Sequence, residues 1–72
     1  MMDSEEEMRK IAARIKEIRI AKNLTVQELA YRCDMERSCL SRIESGKINL
    51  TIKTICKIGN ALEVGWKDLL VL

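Results

Sequence analysis

The sequence predicts an all-α fold, a compact domain of five helices packed around an aliphatic core. Three observations predict it. Apolar residues recur at helical spacing along the whole chain, with few β-branched alternations of the kind that mark strands. No proline interrupts the 72 residues. Good N-capping residues stand ahead of the apolar stripes, and Asn, Asp or Gly stands after them. A chain of this length makes one small domain, residues 1–72, near the lower limit of what a single core stabilises.

The elements follow in order. Ser4 and Glu7 have the spacing of a capping box, so a first helix is expected to start near Glu5. The acidic segment 1–7 then suits the positive end of the helix dipole, which accounts for it better than a partner-binding tail does. Ile11, Ala12, Ile15 and Ile18 form one stripe, and Lys22-Asn23 ends the helix, Asn23 tolerating a left-handed backbone. The second helix has a complete start signal: Thr25 as cap, Glu28 closing the box, and Leu24 stapling onto Leu29. Leu29, Ala30 and Cys33 face inward, and Ala30 is the small residue that a steep helix crossing requires. Asp34-Met35-Glu36 is the turn, with Asp34 at positive φ and Met35 plugging the core. The third helix runs from about Arg37 to Glu44, Leu40 and Ile43 inward, and Gly46 is its left-handed terminator. After a loop, Thr51 caps a fourth helix with Ile52, Ile55, Ile58, Ala61 and Leu62 inward. Glu63-Val64-Gly65 is a turn, and Trp66 to Leu72 a short terminal helix.

Composition excludes several classes. There is no His, and the three Cys (Cys33, Cys39, Cys56) include no Cys-x-x-Cys pair, so neither a zinc site, another metal site nor a disulfide framework is expected. Reduced thiols suit a cytoplasmic chain. No apolar run is long enough for a membrane span, and the acidic start is the opposite of a secretion signal. With no phosphate loop and no nucleophile–base constellation, enzymatic activity is not expected, nor is a cofactor or small-molecule ligand. The net charge of +2 hides an asymmetry. Asp3, Glu5, Glu6 and Glu7 precede the first base, so the rest of the chain is markedly more basic, as a polyanion partner would require.

Residues 25–44 thus read as a helix-turn-helix, two short capped helices of which the second can probe a DNA major groove. Its polar face carries Arg37, Ser38, Ser41 and Arg42. Arginine's fork matches guanine O6 and N7, and serine is short enough for close approach. Arg37 and Arg42, five apart, reach different base pairs unless one takes phosphate. Lys47, Lys53 and the start of the fourth helix suit phosphate contacts, which carry affinity rather than sequence information.

The strings Arg14-Ile15-Lys16…Ile18-Arg19, Leu24-Thr25…Glu28-Leu29-Ala30, and Arg37-Ser38…Leu40-Ser41-Arg42-Ile43-Glu44…Gly46-Lys47 resemble the lambda-repressor-like helix-turn-helix family, also called the Cro/C1 or XRE class. The resemblance extends over residues 11–70. It implies a cytoplasmic, nucleoid-associated bacterial or phage transcription regulator, such as a small repressor or a restriction–modification controller. Such a protein acts as a homodimer on a two-fold symmetric operator in double-stranded DNA. Arg37, Ser38, Ser41 and Arg42 take the base-reading positions. The segment around Gly46, Lys47, Ile48 and Asn49 takes the place that holds the phosphate backbone through N–H groups and side chains. Arg19 and Glu44 match an internal ion pair. Val26 stands where the family carries Gln, leaving Gln27 as a partial substitute for its phosphate contact. Glu36 replaces a hydroxyl cap, and Cys39 replaces a hydroxyl residue at another phosphate-contact position.

The terminal Leu69-Leu70-Val71-Leu72 is apolar on more sides than one helix end can bury. Two of these residues can enter the core. A symmetric dimer seam of Trp66, Leu69, Val71 and Leu72 accounts for the excess, although Trp66 also reads as a core plug, and Ile20 is a second exposed apolar residue. A protein-interaction module, such as an antitoxin binding a protein through the same fold, is the alternative function.

Overall fold

The structure is a computed structural model and describes residues 4–70. Four α-helices, α1 (Ser4–Ala21), α2 (Val26–Arg32), α3 (Arg37–Glu44) and α4 (Ile52–Leu62), are followed by one 3-10 turn at Trp66–Leu69. Among the described residues there is no strand, and no helix is long and apolar enough to cross a membrane. Ser4 is already helical, so α1 starts a residue earlier than expected, and the anticipated Ser4–Glu7 box involves a side chain outside the described ones.

The core is aliphatic. Ile15, Leu29, Leu40, Ile58, Leu62 and Leu69 are completely buried, and Ile11, Ala12, Ile18, Ala30, Cys33, Ile43 and Ile55 nearly so. Burial of each large side chain contributes about 1.5–3 kcal/mol. Burial pushes the Cys33 thiol pKa up, with the positive charge of Lys57 opposing it weakly, so this group packs as a small neutral hydrophobe.

All four α-helices end in the same way. The left-handed residue is Asn23 (φ 59°), Asp34 (54°), Gly46 (77°) and Glu63 (60°) in turn. Each time the next N–H reaches back five residues: Leu24 to the Arg19 carbonyl (3.1 Å), Met35 to Ala30 (3.0 Å), Lys47 to Arg42 (3.3 Å) and Val64 to Gly59 (2.9 Å). These are Schellman closures, in which the donor residue is commonly apolar and folds back onto the helix. Leu24 is buried, and Met35 and Val64 pack against the core. Lys47 alone among the four is charged and exposed.

The helix starts are equally local. Glu28 N–H donates to Thr25 Oγ1 (3.0 Å) and Thr25 N–H to a Glu28 carboxylate oxygen (2.8 Å), completing the expected box. Thr54 N–H donates to Thr51 Oγ1 (3.2 Å) at α4. The backbone N–H and hydroxyl of Thr25 hold the Glu28 carboxyl below its ordinary pKa.

Three expectations need correction. Ile52 is 60 % exposed, because it occupies the first turn of α4, ahead of the stretch that meets the core. Gly59 is buried in its stead: a Cβ there would stand 3.1 Å from the Val64 carbonyl oxygen and 3.4 Å from the Trp66 backbone. The terminal α-helix is a single 3-10 turn, closed by Asp68 N–H to Gly65 O (2.9 Å) and Leu70 N–H to Lys67 O (3.1 Å). Arg14 Nε donates to the Asp68 carbonyl at 3.0 Å, tying this turn to α1. Leu69 was expected at a dimer seam, yet it is wholly buried in the chain's own core and cannot reach a partner. Trp66 is 38 % exposed, with Lys67 Nζ 5.8 Å from its ring centre. Val71 and Leu72 lie outside the described residues.

Left-handed geometry costs a β-substituted residue about 1–2 kcal/mol. Glu63→Gly should therefore stabilise the domain by about 0.5–1 kcal/mol, since its exposed pair with Arg32 (4.0 Å) contributes little. Gly46→Ala should destabilise it by at least about 1–2 kcal/mol, because the added Cβ also meets Arg9 Cγ at 2.9 Å. Urea midpoints at constant slope check both. The depressed Glu28 pKa contributes stability that is present above the group's ordinary pKa and lost as pH falls through the folded value. Glu28→Gln should remove that part of the acid-side loss, leaving a flatter stability profile across the carboxylate titration range.

Candidate nucleic-acid interface

Seven-residue α2 and eight-residue α3 pack through Leu29, Ala30, Leu40 and Ile43, all 3 % exposed or less. Ala30 lets the two backbones approach, and the left-handed Asp34 sets the bend between them. With one side of α3 committed to the core, Arg37, Ser38, Ser41 and Arg42 are all exposed. The chain's own described segments leave that face open. Cys39, Gln27, Lys47, Asn49 and Lys53 are exposed as well.

What holds α3 in this pose is a buried charge. Arg19 is 8 % exposed. Its Nε and Nη2 donate to the two carboxylate oxygens of Glu44 at 2.7 and 3.1 Å, and its Nη1 donates to the Leu24 carbonyl at 2.7 Å. The pair that the resemblance implies is thus a two-pronged bridge with a third anchor on the segment that leads into α2. A buried charge is tolerable only when paired and hydrogen-bonded, and here each of the three guanidinium nitrogens makes a hydrogen bond. Among the described residues no buried side-chain nitrogen or oxygen lacks a partner.

The start of α3 differs from that of α2. Glu36 occupies the cap position with extended backbone, but its side chain makes no capping bond. At the other end Ser45 Oγ donates to the Arg42 carbonyl (2.7 Å). The expected role of Gly46 is revised. Its N–H donates to Ile43 O (3.0 Å), and that of Lys47 to Arg42 O, so both amides close the helix. The loop keeps the N–H groups of Ile48 and Asn49, which have no acceptor among the described residues, and the side chains of Lys47 and Asn49 for an external anion, while Gly46 serves as the residue that permits the bend. The loop is held from below, where Leu50 N–H points to Met8 Sδ at 3.3 Å.

One residue escaped the sequence reading. Lys16 is exposed and lines a shallow groove of about 270 Å³ with Arg19, Val26, Ser41, Glu44 and Ser45. The signal was present, since Lys16 precedes Arg19 by three residues and shares its helix flank.

Arg19→Met should cost about 3–5 kcal/mol in urea unfolding, because it strands the Glu44 carboxylate in a nearly closed site. The double variant Arg19→Met, Glu44→Leu should recover much of that loss, which distinguishes a stranded charge from lost packing.

Residues 15–69 match the helix-turn-helix family HTH_3. The chain is 41 % identical over 58 residues to the control protein C.BamHI of Bacillus amyloliquefaciens, spanning 79 % of this chain and 72 % of that protein. Its structure superimposes on the restriction-modification controller protein C.AhdI of Aeromonas hydrophila with a TM-score of 0.85 at 30 % identity, covering 89 % of this chain and 97 % of that one. The controller protein C.Esp1396I gives 0.77 at 40 % identity, covering 81 % and 75 %. With its all-α architecture and its exposed second motif helix, the chain belongs to the helix-turn-helix family of the lambda-repressor-like, XRE type.

Proposed function

We propose that the chain is a sequence-specific regulator of transcription that binds double-stranded DNA as a homodimer, in the manner of a restriction–modification controller. The observation that carries this reading is the polar face of α3, open along its length and locked from behind by Arg19 and Glu44. An α-helix fits the major groove, and a probe reads bases reproducibly only if its pose is fixed. Arg37 and Arg42 would take guanine edges, with Ser38 and Ser41 allowing close approach. Gln27, Cys39, Lys47, Asn49 and Lys53 would position the backbone, and Lys16 joins that set. The relatives named above are a control protein and two restriction-modification controllers, which favours a regulatory role of that kind over catalysis.

A second copy would dock through exposed apolar side chains, for which Ile20 (55 % exposed), Trp66 (38 % exposed) and the half-buried Leu70 are the candidates among the described residues. Two α3 helices related by a two-fold axis then read half-sites about one DNA turn apart, on a pseudo-palindromic operator.

Selection from a random duplex pool should recover a palindromic motif bound by the dimer. Arg42→Ala should weaken binding to that motif by about 1–3 kcal/mol and relax one symmetric position. Recovery of no motif, with capture of a protein partner instead, would reverse the proposal in favour of an interaction module.

A further inference from the structure

We infer that Arg9, on α1 and outside the helix-turn-helix, makes an additional phosphate contact to the duplex. The inference rests on the proposed DNA-binding role and extends its footprint. Gly46 lies directly against Arg9: a Cβ at Gly46 would stand 2.9 Å from Arg9 Cγ, 3.3 Å from its Cα and 3.6 Å from its Cβ. The aliphatic stem of Arg9 therefore runs along the turn that ends α3, immediately before Lys47. Lys47 is the residue that breaks the pattern of the four helix closures. Where Leu24, Met35 and Val64 fold back as apolar plugs, Lys47 is charged and exposed. Two cations thus flank the same bend.

The rest of α1 supports the placement. Arg9, Ala12, Lys16 and Arg19 recur at three- and four-residue spacing and share one flank. Ala12 and Arg19 are buried, and Arg19 and Lys16 meet the C-terminal half of α3. Arg9 is exposed. Lys10, one residue on, pairs with Glu7 (3.4 Å), and Arg14 pairs with Glu17, so these neighbouring cations are engaged along α1 itself. A guanidinium is weakly hydrated and shaped for phosphate, so an exposed one whose stem is held at the rim of a DNA-facing bend is suited to the backbone of the flanking duplex.

The test is the salt dependence of duplex binding. Arg9→Met keeps the stem on Gly46 and removes the charge, while Arg9→Lys restores a charge. The slope of log K against log salt should fall in Arg9→Met by about 0.9 per lost contact, once for each protomer. The loss should be similar for the selected operator and for an unrelated duplex, and Arg9→Lys should regain most of it. Unchanged affinity and slope in Arg9→Met would overturn the inference while leaving the regulator reading intact. So would a loss confined to the selected operator, or one that Arg9→Lys does not relieve. Failure of the unmodified protein to bind any duplex would overturn both readings. Thermal unfolding of each variant identifies a loss of fold, and a loss explained in that way counts against the contact.

Discussion

The bridge from Arg19 to Glu44 is the constraint on which the reading surface depends. One guanidinium joins three segments: it sits on α1, grips the last residue of α3, and holds the carbonyl of Leu24. Leu24 directly precedes the Thr25 cap of α2, so both motif helices are referenced to a single planar group. A lysine would offer one point charge without the fixed fork, leaving α3 free to pivot. Because the pair is almost closed to water, dissolved ions screen it far less than they screen the exposed cations outside. Salt strong enough to dissolve the proposed DNA contact would leave the scaffold standing.

The junctions show a comparable economy. Four helices stop by one device, and only one of the four stops uses glycine. At Asn23 and Asp34 the short polar side chain tolerates the left-handed backbone, whereas Glu63 has no such advantage. Gly46 is required for a different reason, since α1 passes too close for any side chain. Each closure also aims the following residue, and three of the four aim an apolar one inward.

Much of this was legible because it is local. A box four residues long, an apolar stripe and a terminator are all written close to the feature they specify, and the caps at Thr25 and Thr51 and the left-handed Asn23, Asp34 and Gly46 stand as expected. Arg19 and Glu44 are 25 residues apart, and their pairing came from family resemblance rather than from spacing. The misses share a cause. Periodicity says which way a residue faces along a helix but not where the core ends, so Ile52 was placed inside. It also cannot reveal that a side chain 54 positions away engages the Asp68 carbonyl and ties the last turn to α1. Nor does it show which backbone amides are spent on closing a helix, the point on which Gly46 was misread. The base- and phosphate-reading roles of individual side chains belong to a complex with DNA, which no monomer geometry defines.

The two motif helices have seven and eight residues. Segments that short do not persist alone in water, because the cost of nucleating a helix exceeds what so few internal bonds return. The reading surface therefore exists only while the aliphatic core is assembled around it. Opening the core abolishes recognition and bares the backbone to proteases in the same event. Binding and folding are then linked equilibria, so a bound molecule is also one protected from turnover.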